Sequence, residues 1–176
     1  GGDSSMQICN SILWDNWAQS GSEISLMTAR YVVGYAAPSA TVSNTSITPG
    51  TKAVFLDYAA SVDYNTVLET DPCFANPGYW DPNGTPEDPN DDFWVDGDYH
   101  LKSQARRWDP TSESWVQDDV TSPCIDAGDP LTPIGHEPFP NAGIINIGAY
   151  GGTPEASKSY FNAPVCETIT PGDING

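Results

Sequence analysis

A chain of 176 residues has room for one domain with a short tail. Its 24 Asp and Glu against 6 Lys and Arg give a net charge of −18, which a nucleic-acid duplex or an anionic bilayer would repel. Such charge suits divalent cations or a basic partner, and 6 Trp, 8 Tyr and 5 Phe carry too much apolar area for a disordered acidic tail.

Gly and Pro occur 16 times each without a collagen-like period, and no stretch holds a sustained 3.6-residue apolar stripe. Short strands separated by many turns are therefore expected, an all-β chain. No apolar run approaches the roughly 20 residues that span a bilayer. The chain opens on Gly1-Gly2-Asp3, so a secretion signal is expected to lie upstream.

In chain order, Met6 to Trp14 (MQICNSILW) places Ile8, Asn10, Ile12 and Trp14 on one face at period two. An inward Asn is costly alone, but not where identical side chains stack above and below it and share hydrogen bonds. Asp15-Asn16 turns the chain. Strands are expected at Glu23–Met27, Arg30–Tyr35, Ala40–Ile47 and Lys52–Leu56, punctuated by Gly21, Gly34, Pro38 and Pro49-Gly50. No hairpin dipeptide separates them, which favours coil-by-coil winding over a meander.

From Asp71 the texture becomes loop-rich. DPCF (71–74), the acidic DPNGTPEDPNDD (81–92), GDYHL (97–101) and SPCIDAGDP (122–130) follow one another, and a last apolar strand is expected at 144–152. Cys9, Cys73, Cys124 and Cys166 form no CxxC or Cys/His spacing, so zinc is not expected, and three full pairings stay open.

Taken in order, NSILWDN (10–16), DPCF, GDYHL, SPCIDAGDP and NIGAYGG (146–152) resemble the right-handed parallel β-helix proteins. These are pectate-lyase-like solenoids of secreted bacterial proteins, especially of the planctomycete kind. The resemblance implies the last coils of such a helix over 1–70, a loop-rich closing region over 71–152 and an exit tail over 153–176. Pro171 to Gly176 (PGDING) resembles the opening of a dockerin type I calcium loop, with Asp173 and Asn175 at its first two ligand positions. An extracellular or cell-surface location follows from the same resemblance.

Within that frame Cys73 and Cys124, each after a Pro, are expected to form a disulfide that staples the closing loop. Closing about 50 residues would contribute on the order of 3–4 kcal/mol in the chain-entropy model. Cys9 is expected in the core. In the acidic loop Asp81, Asn83, Asp88 and Asp91 are candidate Ca2+ ligands. Against that, the spacing is not that of an EF-hand and three prolines stiffen the loop, so a solvated acidic loop is the plainer reading.

No catalytic residue is assigned. His100 belongs to the closing motif, Arg106-Arg107-Trp108 reads as a solvated loop with one packed ring, and the catalytic groups of β-helix enzymes lie on central coils, upstream of these. Two partner classes remain. Ile8, Asn10, Ile12 and Trp14 mark a first coil whose edge would pair with another β-helix subunit or a second copy. Trp17, Tyr79, Trp80, Trp94, Trp108 and Trp115 would suit an extracellular polysaccharide, and the alternative function is the non-catalytic C-terminal part of a carbohydrate-active secreted protein, polysaccharide lyase-like or glycan-binding. Asn44 and Asn83 begin glycosylation sequons.

Overall fold

The computed structural model describes residues 4–27, 37–50 and 52–161, and the strand expected at Arg30–Tyr35 lies outside them. Among the described residues every regular element is a strand, as the scattered Gly and Pro imply.

The first six are β1 (Ser5–Cys9), β2 (Ile12–Leu13), β3 (Ile24–Leu26), β4 (Ser39–Ile47), β5 (Val54–Leu56) and β6 (Ser61–Leu68). β1, β4 and β6 run parallel with β4 in the middle, β2 pairs with the far end of β4, and β3 pairs parallel with β5. Ser5 faces Ser39 and Ile12 faces Ser46 at the same separation in sequence, so the register passes unbroken through the bend between β1 and β2. Parallel neighbours need a crossover between them, and here strands β3 and β5 lie on those crossovers.

Matching registers stack side chains in columns. Ile8, Val42 and Tyr64 form one, Met6, Ala40 and Val62 a second, and Ile24 with Val54 a third. The columns meet in a core of Ile24, Leu26, Ala40, Val42 and Ile47, with Ile8, Leu13, Val54, Val62 and Val67 packed against it. Val42, between two neighbours, is wholly buried, whereas Tyr64 at the end of the same column is 49% exposed. Covering a valine in this way contributes about 1.5–3 kcal/mol.

One bend recurs on all three levels. Asn10, Asn44 and Thr66 follow one another in the extended register, and all have positive φ, 51°, 46° and 57°. Asn tolerates this left-handed conformation better than most residues because its short side chain bonds locally. The kink at Asn10 breaks the period-two face expected over Ile8 to Trp14. Ile8 packs on the first core, while Ile12 packs on a second core on the other side. The expected Asn stack is not what satisfies Asn10. Its Oδ1 accepts the Asp129 N–H at 2.7 Å and its Nδ2 donates to Thr132 Oγ1 at 3.0 Å, while Asn44 Nδ2 donates to the Ala127 carbonyl at 3.3 Å.

The later strands are β7 (Phe74–Asn76), β8 (Tyr79–Asp81), β9 (Phe93–Val95), β10 (Asp98–Leu101), β11 (Arg107–Asp109) and β12 (Ser114–Val116). They pair antiparallel as β7 with β10, β8 with β9 and β11 with β12. The strand expected at 144–152 is irregular, though Ile145 and Ile147 are buried there. Ile147 joins Leu101, Cys124 and Ile125 in the second core, against Ile12 and Leu68. Residues 153–161 pack against this region too. Ser157 Oγ donates to the Leu101 carbonyl at 2.5 Å, and the Lys158 N–H to the Arg106 carbonyl at 3.0 Å.

The second core and the loops around it meet the parallel strands at Asn10, Ile12, Asn44 and Leu68. At the β6 end a cavity of about 670 Å³ opens among Ile47, Ala53, Val54, Tyr64 and Val67. Its apolar walls are the interior columns where β5 has no further strand beside it among the described residues.

Candidate functional site

Three chemistry-bearing groups gather in the region that follows β6. The first is a chain of charges. His100, on β10, is 1% exposed, and its Nδ1 lies 2.5 Å from Asp98 Oδ1. Residues 98 and 100 share one face because side chains alternate along a strand. Asp98 Oδ2 accepts from Arg107 on β11 at 3.2 Å, and Arg107 Nε donates to Asp118 Oδ1 at 3.1 Å. Asp118 Oδ2 in turn accepts the Ser103 N–H at 2.9 Å. Tyr150 stacks on the His100 ring, centroids 3.6 Å apart and planes 16° apart. Burial, then the Asp98 and Glu155 charges, push the Tyr150 hydroxyl up from its ordinary value.

Arg107 was expected in a solvated loop but is half-buried and paired twice. An Asp–His pair invites a reading as a catalytic base. The nearby cavity, lined by Tyr99, Asn146, Tyr150 and Ser157, measures only about 10 Å³, room for one water and no substrate.

The second group is aromatic. β8 and β9 form an arm on which Trp80 faces Trp94, rings edge-to-face with centroids 5.6 Å apart. Trp80 is 60% exposed, and Tyr79, Phe93 and Trp94 are exposed beside it. β11 and β12 repeat the pairing with Trp108 and Trp115 at 5.7 Å, but these rings are half-buried and Lys158 Nζ sits 4.3 Å over Trp115. Trp17 is exposed on its own, far along the chain from either arm. Each pair follows from a two-residue alternation, YWD with FWV and RWD with SWV, around a turn-rich link. That alternation could have revealed both hairpins.

The third group is the cysteines. Ser122 Oγ donates to the Pro72 carbonyl at 2.6 Å and accepts the Cys124 N–H at 3.0 Å, so the segments bearing Cys73 and Cys124 lie side by side. Both are free thiols in the structure, so the expected disulfide is not formed. Burial pushes the Cys124 thiol up to about 11, against hydrogen bonds to Ser46 and Ser122 that lower it. Burial and the Asp71 charge raise Cys73 as well. Cys9, expected in the core, is exposed because it points away from the interior column of Ile8. Cys166 lies outside the described residues.

The acidic loop does not converge on a cation. Asp81 Oδ1 accepts the Asn83 N–H, Asp91 accepts from Thr85 Oγ1 and Asn83 Nδ2, and Asp88 is turned to Asn90. The two Asn90 N–H groups hold Asp88 below the usual carboxylate range. These carboxylates serve as turn acceptors, and among the described residues no three His, Cys, Asp or Glu side chains are grouped to hold a metal. Asp173 and Asn175 lie outside the described residues.

The first-coil residues divide. Asn10 and Ile12 are engaged by the flanking region, Ile8 by the first core, and Trp14 is half-buried. What stays open is β1 itself, whose Ser5, Met6, Gln7 and Cys9 are exposed and whose only strand partner among the described residues is β4.

Residues 42–128 match the family described as disaggregatase related, a family of the pectate-lyase-like, β-helix type. The match begins in the middle rung of the parallel strands and ends at Gly128, so it takes in Val42 and Ile47 of the first core and Leu101, Cys124 and Ile125 of the second. No curated protein and no solved structure matches the chain.

Proposed function

We propose that this chain forms the last coils of a right-handed parallel β-helix in an extracellular or cell-surface protein, and that it acts there as a non-catalytic structural module extended by coil stacking. The observation that carries this reading is the constant register of β1, β4 and β6, with β3 and β5 on a separate side of one shared core. Each rung repeats the same interior columns, so another rung can be added at either edge without changing the geometry. β1 offers one such edge, which a preceding coil of the same protein, or the β6 of a second copy arriving head to tail, would cover.

Stacking would bury Met6 in the column it shares with Ala40 and Val62. The charge of −18 opposes association, so the test belongs at about 0.15 M salt, where the Debye length is about 8 Å. Sedimentation velocity over rising concentration should show head-to-tail oligomers, and Met6→Lys should abolish them without altering the fold, because Met6 is exposed in the single chain. A chain that stays monomeric at millimolar concentration removes the stacking proposal.

An oxidising location also favours a Cys73–Cys124 bond, since the two segments already lie together and the bond would close the loop that carries both hairpins.

A second reading rests on the β8–β9 arm. Four exposed aromatic side chains on one hairpin suit stacking on sugar rings, and the surrounding Asp81, Asp91 and Asp92 can accept sugar hydroxyls. The same acids would repel a uronate polymer, so a neutral polysaccharide is the better fit. Retention on insoluble neutral glycans, lost in Trp80→Ala, supports this reading. Equal passage of both proteins through every glycan tested rejects it.

A further inference from the structure

His100 carries an unanswered polar atom. Its Nε2 is buried and makes no hydrogen bond, although Glu155 Oε2 lies only 3.4 Å away. Its other nitrogen is committed to Asp98, whose Oδ1 also accepts the His100 backbone N–H at 3.1 Å. An imidazole whose single proton sits on Nδ1 presents a bare lone pair at Nε2. Facing a carboxylate oxygen, that lone pair is repelled. With a second proton, the same nitrogen becomes a donor aimed at Glu155.

The surrounding charges lean the same way. Asp98 on β10, Asp118 after β12 and Glu155 on the C-terminal segment supply three carboxylates, and Arg107 on β11 supplies one cation. Tyr150 covers the ring and is neutral. One arginine leaves this group two charges in deficit, and a protonated His100 halves that deficit.

We propose that His100 is a proton-operated latch between β10 and residues 150–159. With both nitrogens protonated it bridges Asp98 and Glu155 and fastens the segment that carries Tyr150, Ala156 and Ser157. When Nε2 loses its proton, the lone pair repels Glu155 and the segment loosens. To β10 itself the segment is otherwise held by Ser157 Oγ to the Leu101 carbonyl and the Tyr150 stack, while Gly152, Ser157, Lys158 and Ser159 stay bonded to Glu137, Asn146, Ser103, Arg106 and Asp126, so the loosening centres on the stretch around Glu155. Asp98 keeps Arg107 in either state, so the movement is confined to the Glu155 side.

Hydrogen exchange on the full chain tests this, alongside NMR titration of the imidazole. Amide protection over 150–159 should fall about fivefold when rising pH takes the proton from Nε2, a modest change because Glu155 is half exposed. Glu155→Gln should abolish that dependence, since its amide can donate to the neutral Nε2. His136→Gln should leave it intact, because the other histidine is exposed and meets this region only through its backbone N–H to the Gly152 carbonyl. Protection that does not change across the titration in the native chain overturns the latch, as does an unaltered profile in Glu155→Gln. Glu155 is a half-exposed surface residue, so its variant reports even if a replacement at buried His100 prevents folding.

Discussion

Glu137 offers the sharpest perturbation of the flanking region. It is 8% exposed, and its Oε1 accepts two backbone N–H groups, from Asn146 at 2.8 Å and Gly152 at 2.9 Å. Asn146 is itself a hub. Its Oδ1 accepts the Asp126 N–H at 2.9 Å and its Nδ2 donates to the Ser157 carbonyl at 2.7 Å. Glu137→Ala strands the buried Asn146 N–H, while half-buried Gly152 can turn to water. A loss of about 2–4 kcal/mol is expected, one buried donor left unpaired plus one charged hydrogen bond removed. Glu137→Gln keeps an acceptor oxygen in place and removes the buried charge, so it should match or exceed the native stability at neutral pH.

The pH dependence follows with its sign. Burial raises the Glu137 carboxyl, opposed by the two backbone bonds and aided by the Asp126 charge. The folded chain therefore holds this proton more tightly than the unfolded chain does. The resulting stability is full below the ordinary glutamate value of about 4.3 and disappears as pH rises through the raised native value. Urea unfolding followed by tryptophan fluorescence at several pH values reads both effects. The native chain should show this loss as pH rises above about 4.3, and Glu137→Gln should lack it. If Glu137→Gln loses as much as Glu137→Ala, the charge and not the acceptor geometry holds the loop, and the reasoning fails.

Two further outcomes follow from packing and thiol chemistry. Gly128 sits against Ile145 and Asn10, and a Cβ there would strike the Ile145 side chain and carbonyl. Gly128→Ala should cost about 1–3 kcal/mol by thermal unfolding, and an unchanged midpoint would show that the contact between the flank and the first rung is loose. With a thiol reagent at pH 7 in reducing buffer, exposed Cys9 should be modified first and Cys124 only on unfolding, because burial pushes its thiol up to about 11. Under a disulfide oxidant, non-reducing peptide mapping should recover Cys73 linked to Cys124. Recovery of both as free thiols would remove the staple.

Much of the strand order is legible in the sequence. The apolar alternation at 23–27, 40–47 and 52–56 coincides with β3, β4 and β5, and the lack of tight hairpin dipeptides agrees with their parallel pairing. β6 went unread. Its Asp63, Tyr64, Asn65 and Thr66 are exposed, since a rung with one neighbour has no need of an apolar outer side, and so it shows little pattern. The hairpins β8–β9 and β11–β12 are hidden differently, because a lone Trp in a turn-rich stretch carries no mark of the cross-strand partner it meets. At 144–152 apolar character signalled burial correctly and strand wrongly. Ile145 and Ile147 are buried by core packing, while their backbone bonds go to Gly128 and Cys124 singly and form no ladder.

The sequence by itself determined an all-β chain of short strands, with Asn10 at a point where an inward amide requires partners. Alternation, turn residues and composition act locally, and each leaves its mark within a few positions. Only the tertiary structure decided who those partners are. Asn10 bonds residues 129 and 132 across more than a hundred positions, and His100 meets Glu155 across more than fifty. Such pairings arise when the flanking region settles onto the bends of the parallel strands, and no local pattern encodes them. The same docking turned Ile12 away from the face it shares with Ile8 in an unbroken strand. A single left-handed residue sufficed, because in a period-two chain one kink exchanges the two sides of everything after it.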